Sequence, residues 1–253
     1  MSQLIMVGGC KGGVGKSMVA MAVLDYLRSI DADILLVEAD RRNQDVALAY
    51  ASFERSVVEA DAKALSTGER DSWVTAMKPM DIEVIDLANR NDWISFGRLI
   101  EKHKHRRIVV NTAVGLTDQI SSYGGAINAV IEESGIDAVS LWPVNRQRFS
   151  LNALLTYASV VTSGRVHVLR NLLFGRPEHF VLLDSATKVR QRVDQRGGRI
   201  VDFPDLADLM ADKLYCERVS IEAAVKDTGQ PTTDRLEFAR WQGITRNLME
   251  GLL

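Results

Sequence analysis

The amino-acid sequence predicts an α/β fold, a doubly wound and mostly parallel sheet with helices on both faces. Short apolar runs rich in β-branched residues alternate along the chain with longer segments of helical period. The apolar runs are nearly continuous, as expected for parallel strands that are covered on both faces. With 253 residues, 46% of them hydrophobic and 25% charged, the chain is long enough to bury a full core. We therefore expect one domain over residues 1–253 and exclude a disordered or low-complexity protein.

Each predicted element follows from one of these two patterns. The predicted strands are Leu4–Val7, Ile34–Val37, Ile82–Ile85, Ile108–Val110, Ala138–Leu141, Val166–Leu169 and Ile200–Phe203. The predicted helices are Lys16–Ser29, Phe96–Lys104, Thr117–Glu133, Leu151–Thr162, Ser185–Gln195, Leu206–Tyr215 and Asp234–Leu253. The segment Arg41–Met80 is polar and rich in alanine without a clear period, and we expect helices and loops there that cover one end of the sheet.

Charge and cysteine content exclude several classes of protein. The chain carries 31 lysines and arginines against 33 aspartates and glutamates, a net charge of -2, which argues against a protein that coats nucleic acid over its whole surface. Cys10 and Cys216 lie far apart and no CxxC occurs, which indicates reduced thiols and argues against a zinc or iron–sulfur site within one chain. No apolar run approaches the roughly 20 residues of a membrane span, and the N-terminus lacks a basic targeting region. We expect a cytoplasmic protein.

A glycine-rich loop follows the first predicted strand and precedes the first predicted helix. Its sequence over residues 8–17, Gly-Gly-Cys-Lys-Gly-Gly-Val-Gly-Lys-Ser, has the strand–loop–helix context of a phosphate-binding loop. Glycines let backbone N–H groups converge on phosphate oxygens, and the helix N-terminus adds its dipole. We expect Lys16 to reach the β- and γ-phosphates and the Ser17 hydroxyl to ligate Mg²⁺. The nucleotide-binding residues predicted in and directly after this segment are Gly12, Gly13, Val14, Gly15, Lys16, Ser17 and Met18.

The segment from Lys11 to Ser17 resembles the deviant Walker A motif of the ParA/MinD family of P-loop ATPases. The resemblance implies ATP or ADP and Mg²⁺ as cofactors, and a homodimer that forms on ATP binding. It also implies that Lys11, at the position of the signature lysine, contacts the phosphates across that dimer and acts with Lys16 in catalysis. Cys10 stands where the ordinary GxxxxGK[ST] pattern has glycine, and a redox role for this thiol is an alternative interpretation.

Two further motifs of the family have counterparts after later strands. The resemblance makes Asp40 the residue that orients the attacking water, and Glu38 a carboxylate near the Mg²⁺-bound waters in place of the usual aspartate. It places Asn111 where the Walker B aspartate of the metal site is expected. An amide keeps an acceptor oxygen but loses the charge, so we expect Mg²⁺ retention to fall about tenfold and Asn111→Asp to restore it. Asp86 is the alternative carboxylate for this role.

Two short segments resemble the parts of the family that hold the base. The segment Val168-Leu169-Arg170-Asn171 resembles the hydrophobic strand and asparagine that read the adenine edge, since an amide offers one donor and one acceptor. The segment Phe203-Pro204-Asp205 resembles the proline-containing loop that flanks the base. The resemblance therefore implies that Asn171, Pro204 and Asp205 contact the nucleotide.

Two surface segments bear on partners. Residues 188–199 carry five basic side chains and one acidic one. Lys188, Arg190, Arg192, Arg196 and Arg199 form either a patch that binds DNA non-specifically or a solvated helix face. The segment Asp234–Leu253 has apolar residues near helical spacing, including Leu236 and Ile244, but mixed charges on its polar side, whereas a helix at a membrane interface usually shows a cationic face. We expect it to pack against the domain and expect no membrane contact.

The family resemblance also implies a cellular role. It implies an ATPase whose nucleotide-gated dimer positions macromolecular cargo, in plasmid partition or conjugal transfer, with an unknown protein partner. A nucleotide-binding scaffold without hydrolysis is a second hypothesis, in which Asn111 marks lost turnover. A small-molecule kinase or ligase of the dethiobiotin-synthetase type is a third, which the signature lysine disfavours.

Overall fold

The computed structural model describes residues 2–9, 12–51, 80–115 and 117–253. Its strands are β1 (Gln3–Val7), β2 (Ile34–Glu38), β3 (Asp81–Val84), β4 (Arg107–Asn111), β5 (Asp137–Val144), β6 (Arg165–Asn171) and β7 (Ile200–Phe203). Its helices are α1 (Lys16–Ser29), α2 (residues 45–51), α3 (Arg90–Lys102), α4 (Thr117–Ser134), α5 (Arg148–Val160), α6 (Val181–Asp184), α7 (Thr187–Gln195), α8 (Asp208–Glu217), α9 (Ile221–Lys226) and α10 (Thr232–Leu252).

The strands form a parallel sheet in the order β3-β2-β4-β1-β5-β6-β7, which confirms the predicted fold class. The first strand, β1, lies between β4 and β5. The carboxyl ends of three strands are in register, because Glu38 of β2 pairs with Asn111 of β4 and Asn111 pairs with Val7 of β1. The segments that follow these strands therefore meet at one edge of the sheet, the place where open α/β sheets bind ligands.

Alternate residues of the central strand pack into two cores, one on each face of the sheet. Leu4 and Met6 of β1 belong to a core with residues of α3, α4, α5 and α7. Ile5 and Val7 belong to a core with residues of α1, α8, α9 and α10. Since both faces of the strand are buried, no polar residue is needed at alternate positions, and this explains the continuous apolar runs in the sequence.

Several helix boundaries differ from the predicted ones because caps decide them. The helix α3 begins at Arg90 rather than Phe96, since the Asn89 side chain accepts hydrogen bonds from the N–H groups at the start of the helix. The predicted helix Ser185–Gln195 corresponds to α7, which begins two residues later at Thr187, and the short helix α6 before it was not predicted. The helix α9 was not predicted; it is capped by Ser220 and is too short to show a period. Of the predicted segment Arg41–Met80, residues 52–79 lie outside the described residues.

The C-terminal helix α10 packs on the rest of the protein, as predicted. Phe238 and Trp241 are fully buried in the core that contains α1, and Arg246 forms an ion pair of 2.6 Å with Asp25 of α1. Leu236 and Ile244 belong to the apolar side in the sequence pattern, but 64% and 42% of their surfaces are exposed. Among the helices that the structure describes, none combines the length and the apolar character needed to cross a membrane.

Candidate functional site

A cavity of about 390 Å³ lies at the carboxyl edge of the sheet, beside the glycine-rich loop. It brings together residues that are far apart in the sequence, because the loops after several parallel strands reach this edge. The predicted site residues that line it are Gly12, Gly13, Gly15, Lys16, Ser17, Met18, Asp40, Asn111, Asn171, Pro204 and Asp205. Val14 and Glu38 do not line it, and both side chains are buried in the protein. Cys10 and Lys11 lie outside the described residues.

The glycine-rich loop ends at Gly15, directly before the first residue of α1. Gly15 has a φ of 99°, in the left-handed region, which turns the chain from the loop into the helix. A Cβ atom at this position would lie 2.4 Å from Nδ2 of Asn171, so space as well as backbone conformation requires glycine. The first N–H groups of α1 therefore border the cavity, where the helix dipole favours an anion.

Lys16 is the first residue of α1 and lies close to the loop. It is 7% exposed and lines the cavity. A Cβ atom on Gly9 would come within 3.1 Å of Lys16 Cγ, so the glycine makes room for the stem of the lysine. This packing places a lysine and the Ser17 hydroxyl at the anion-favouring end of α1, the combination that phosphoryl-transfer sites use.

Asn171 connects the end of β6 to the glycine-rich loop. Its Nδ2 donates a hydrogen bond of 3.0 Å to the carbonyl oxygen of Val14, and its Oδ1 accepts one of 3.1 Å from the N–H of Leu173. An asparagine amide has a second N–H and a second lone pair, so a contact with a base would use the capacity that these bonds leave. The structure thus gives Asn171 a loop-positioning role that the motif comparison did not predict.

Asp40 is half-buried and shapes the loop that follows β2. Its Oδ1 accepts hydrogen bonds from the N–H groups of Arg42 and Asn43, at 3.2 and 3.0 Å. These bonds form a turn of the kind that aspartate side chains stabilise. Because the turn is local, the Asp40 carboxylate is held at the wall of the cavity by its own loop.

Glu38 and Asn111 form a buried pair at the ends of β2 and β4. Nδ2 of Asn111 donates hydrogen bonds to Oε1 and Oε2 of Glu38, at 3.0 and 3.2 Å. The backbone N–H groups of Asp40 and Ala47 donate to the same carboxylate, at 3.1 and 3.4 Å. Burial raises the pKa of Glu38 to about 7, although the hydrogen bond from Asn111 lowers it. Glu38 was expected to lie near the metal waters, but Asn111 rather than Glu38 lines the cavity.

The second polar atom of the Asn111 side chain, Oδ1, is unpaired. It is buried and accepts no hydrogen bond within the part of the chain that the structure describes. Buried polar atoms in proteins nearly always have a partner, so this oxygen has an acceptor capacity that no described residue uses. Asp86, the alternative carboxylate, follows the edge strand β3 and does not line the cavity.

Apolar residues that the motif comparison missed also line the cavity. They are Val114, Leu173, Leu206, Ala211 and Tyr215. Burial raises the pKa of Tyr215 to about 12, with a smaller contribution from the charge of Asp45. Asp45 lines the cavity and lies 3.6 Å from Arg218, so this ion pair connects α2 with the end of α8. The signal for these residues was weak because most of them lie next to the proline-containing segment or on a helix, outside any motif.

The basic side chains of residues 188–199 have different environments. Arg196 donates hydrogen bonds of 2.6 to 2.8 Å to three backbone carbonyls in the turn between α5 and β6. Arg190 forms an ion pair of 3.0 Å with Asp184, whereas Lys188 and Arg199 are exposed. Arg196 is therefore a structural residue, which the charge pattern could not reveal.

Comparison with known proteins identifies similar chains at the level of sequence and of fold. Protein MobD of Acidithiobacillus ferrooxidans is 33% identical over 250 residues, which cover 99% of this chain and 97% of MobD. No protein-family model matches the chain.

Three solved structures show the same fold. The cell division ATPase MinD of Pyrococcus furiosus superposes with a TM-score of 0.57 at 16% identity, covering 98% of this chain and 100% of MinD. The septum site-determining protein MinD of Pyrococcus horikoshii, complexed with Mg-ADP, gives 0.55 at 15% identity over 100% and 99% of the two chains. A plasmid partition protein of Borrelia burgdorferi bound to AMPPNP gives 0.52 at 14% identity over 99% and 100%.

Proposed function

Because the chain belongs to the family of protein MobD and has the fold of MinD- and ParA-type P-loop ATPases, we propose that it binds ATP or ADP with Mg²⁺ and hydrolyses ATP slowly. The observation that carries the proposal is the cavity in which the glycine-rich loop, Asp40, Asn111 and the segment after β7 meet. The start of α1 suits the phosphates, with Lys16 beside it. The apolar residues around Tyr215 suit a nucleobase, flanked by Pro204 and Asp205.

The residues present fit a Mg²⁺ ion. This ion prefers oxygen ligands and keeps several of its waters when it binds with a nucleotide. The Ser17 hydroxyl and the unpaired Oδ1 of Asn111 both belong to residues that line the cavity. Ser17 would hold the metal, and Asn111 would hold one of its waters. When bound, the ion would neutralise charge on the phosphates.

Hydrolysis would depend on the carboxylate of Asp40 and on cationic groups. Asp40 is held at the cavity wall by its own turn, and its proposed role is to orient the attacking water. Lys16 stabilises charge on the transferred phosphoryl group, and Lys11 adds to it from a partner copy. We expect slow turnover because an amide stands at position 111, where the resemblance implies a carboxylate.

The wider role follows from the resemblance to ParA/MinD proteins. ATP-bound copies associate as a homodimer, and the dimer positions macromolecular cargo in plasmid partition or conjugal transfer through a protein partner. Contact with DNA would use Lys188, Arg190, Arg192 and Arg199, without the structural Arg196. A second candidate, a scaffold that binds nucleotide without hydrolysis, is favoured by the missing charge at Asn111.

Titration calorimetry with ATP and Mg²⁺ tests nucleotide binding. We expect wild type to bind and Lys16→Ala to lose about 10- to 100-fold in affinity, the equivalent of a charged hydrogen bond of about 1.5–3 kcal/mol. Lys104→Ala, in the exposed turn after α3, is the matched control and should bind as wild type does. No binding by wild type would contradict the proposal.

Two further measurements test assembly and turnover. Light scattering with the slowly hydrolysed analogue AMPPNP should give a dimer mass for wild type and a monomer mass for Lys11→Ala. Equal masses with and without the analogue would contradict the proposal that ATP drives dimer formation. Steady-state phosphate release at saturating Mg²⁺ distinguishes a slow ATPase, whose activity Asp40→Ala removes, from the scaffold, which releases none.

A further inference from the structure

The pairing of Glu38 with Asn111 determines the orientation of the Asn111 side-chain amide. The two residues are register partners across β2 and β4, and both are buried, with exposed fractions of 0% and 2%. Three nitrogen donors converge on the carboxylate: the Asn111 amide and the backbone N–H groups of Asp40 and Ala47. The backbone N–H groups of Asp40 and Ala47 reach different oxygens of Glu38, so both oxygens act as acceptors, and the Asn111 amide turns its NH₂ group toward them.

The opposite orientation of this amide is unfavourable. With Glu38 ionised, it would place the carbonyl oxygen of Asn111 against the carboxylate, two acceptors without a proton between them. With the NH₂ group held by Glu38, the oxygen Oδ1 is the polar atom that remains, and it is the atom without a partner in the described chain. Waters bound to a cation direct their hydrogens outward, so they require an acceptor at the cavity wall.

We infer that Glu38 is a positioning residue, whose buried carboxylate orients the Asn111 amide so that Oδ1 accepts from a Mg²⁺-bound water. The inference rests on the proposed nucleotide function. Glu38 and Asn111 together take the place of a Walker B aspartate in part: the carboxyl group lies one side chain deeper, and the amide offers an acceptor oxygen. Such outer residues tune metal sites through the ligands that they hold.

This arrangement explains why position 111 is not an aspartate. An aspartate there would bring a second carboxylate to about the 3 Å separation that the amide now has from Glu38. Two carboxylates so close cannot both ionise without a large penalty. From the sequence alone, Asn111→Asp was expected to restore Mg²⁺ retention. The pairing with Glu38 leads us to expect that this single change does not restore it. The charge must be moved, by Glu38→Gln together with Asn111→Asp, rather than added.

The test compares wild type, Glu38→Gln, Asn111→Asp and the double variant. Calorimetry measures the dissociation constant of AMPPNP in EDTA and in Mg²⁺, and the ratio of the two constants is the Mg²⁺ increment. Glu38→Gln should lower the increment about tenfold or more, because a neutral amide at position 38 allows the Asn111 amide to reverse. The double variant should recover it to within a few-fold, because the new amide at position 38 can donate to the new carboxylate at position 111. Asn111→Asp alone should melt below the double variant without nucleotide.

A buried carboxylate far from the cavity provides the control. Asp25 is 1% exposed and paired with Arg246, and it does not line the cavity. Asp25→Asn should lower the melting temperature and leave the Mg²⁺ increment unchanged. An unchanged increment in Glu38→Gln, or no recovery in the double variant, would overturn the inference while AMPPNP binding by wild type upholds the proposed function. No binding by wild type in either condition would overturn both.

Discussion

The side-chain amide of Asn171 donates a hydrogen bond of 3.0 Å to the carbonyl oxygen of Val14, and so ties the end of β6 to the glycine-rich loop. A Cβ atom added to Gly15 would lie only 2.4 Å from Nδ2 of the same amide, which is too close for a side chain at that position. Asparagine at this position therefore has a structural reason that is independent of the base. The loop, the first residue of α1 and β6 are held as one unit by this contact.

Removing the Asn171 amide should weaken the binding of every nucleoside triphosphate. We expect Asn171→Ala to lower the affinities for ATP and GTP by similar factors, because the loop that both phosphate chains use is released. The free energy of unfolding should fall by about 1 kcal/mol for the lost hydrogen bond. Calorimetry and denaturant titration measure the two effects, with the exposed Asn152→Ala on α5 as control. A loss confined to ATP would instead assign Asn171 to the adenine alone.

Glycine at position 15 should be indispensable. Gly15→Ala places a side chain at a φ of 99° and against Asn171, so we expect a loss of stability of at least about 1–2 kcal/mol and loss of ATP binding. Gly125→Ala is the opposite case, since Gly125 lies in α4 with no atom within 4 Å of an added Cβ. It should raise the free energy of unfolding by about 0.5–1 kcal/mol. Unfolding in urea measures both, and equal effects would contradict the geometry of the loop.

Substitutions of the basic residues of α7 and of the turn after it should fall into two groups according to their effect on stability. Arg196→Ala removes the donors of three backbone carbonyls, and we expect it to cost about 2 kcal/mol or more of stability. Lys188→Ala should change stability by no more than about 0.5 kcal/mol. If the protein binds DNA through this surface, Lys188→Ala should weaken DNA binding. It should also reduce, by about one, the steepness with which the logarithm of the affinity falls with the logarithm of the salt concentration. DNA affinity that is unchanged in Lys188→Ala would remove this surface from the proposal.

His167 should make the protein less stable in mild acid. Its side chain is 2% exposed in β6, its Nδ1 accepts from the N–H of Arg199, and burial together with the charges of Arg165 and Arg199 lowers its pKa to about 4. The unfolded chain, with an ordinary histidine pKa, binds the proton first. The contribution of His167 is therefore complete above about pH 6.5 and is lost as the pH falls toward 4, at up to about 1.4 kcal/mol per pH unit.

The measurement for His167 is the free energy of unfolding against pH for wild type and His167→Gln. The difference between the two curves isolates this residue, because the other titrating groups are shared. We expect the wild-type advantage to shrink as the pH falls from 6.5 to 4. A constant difference over this range would show that His167 takes up its proton in the folded protein as readily as in the unfolded chain.

Local patterns in the sequence determined much of this protein. Every predicted strand is present within a few residues, because a strand buried on both faces leaves a continuous apolar run that is visible without its neighbours. The glycine-rich loop was recognisable for the same reason, since the turn, the anion site and the helix start lie in ten consecutive residues. Helix boundaries were less predictable, because a capping side chain such as that of Asn89 acts through one or two hydrogen bonds rather than through a period.

The tertiary structure decided how the motifs act on one another. Glu38 and Asn111 were each assigned to the metal site from the sequence, but only strand pairing shows that they contact each other and that Asn111 alone reaches the cavity. Arg196 was counted with the basic patch, yet its guanidinium group is bound to carbonyls of a distant turn. A residue's type and spacing indicate what its side chain can do, whereas the partner that it meets depends on which strands the fold places side by side.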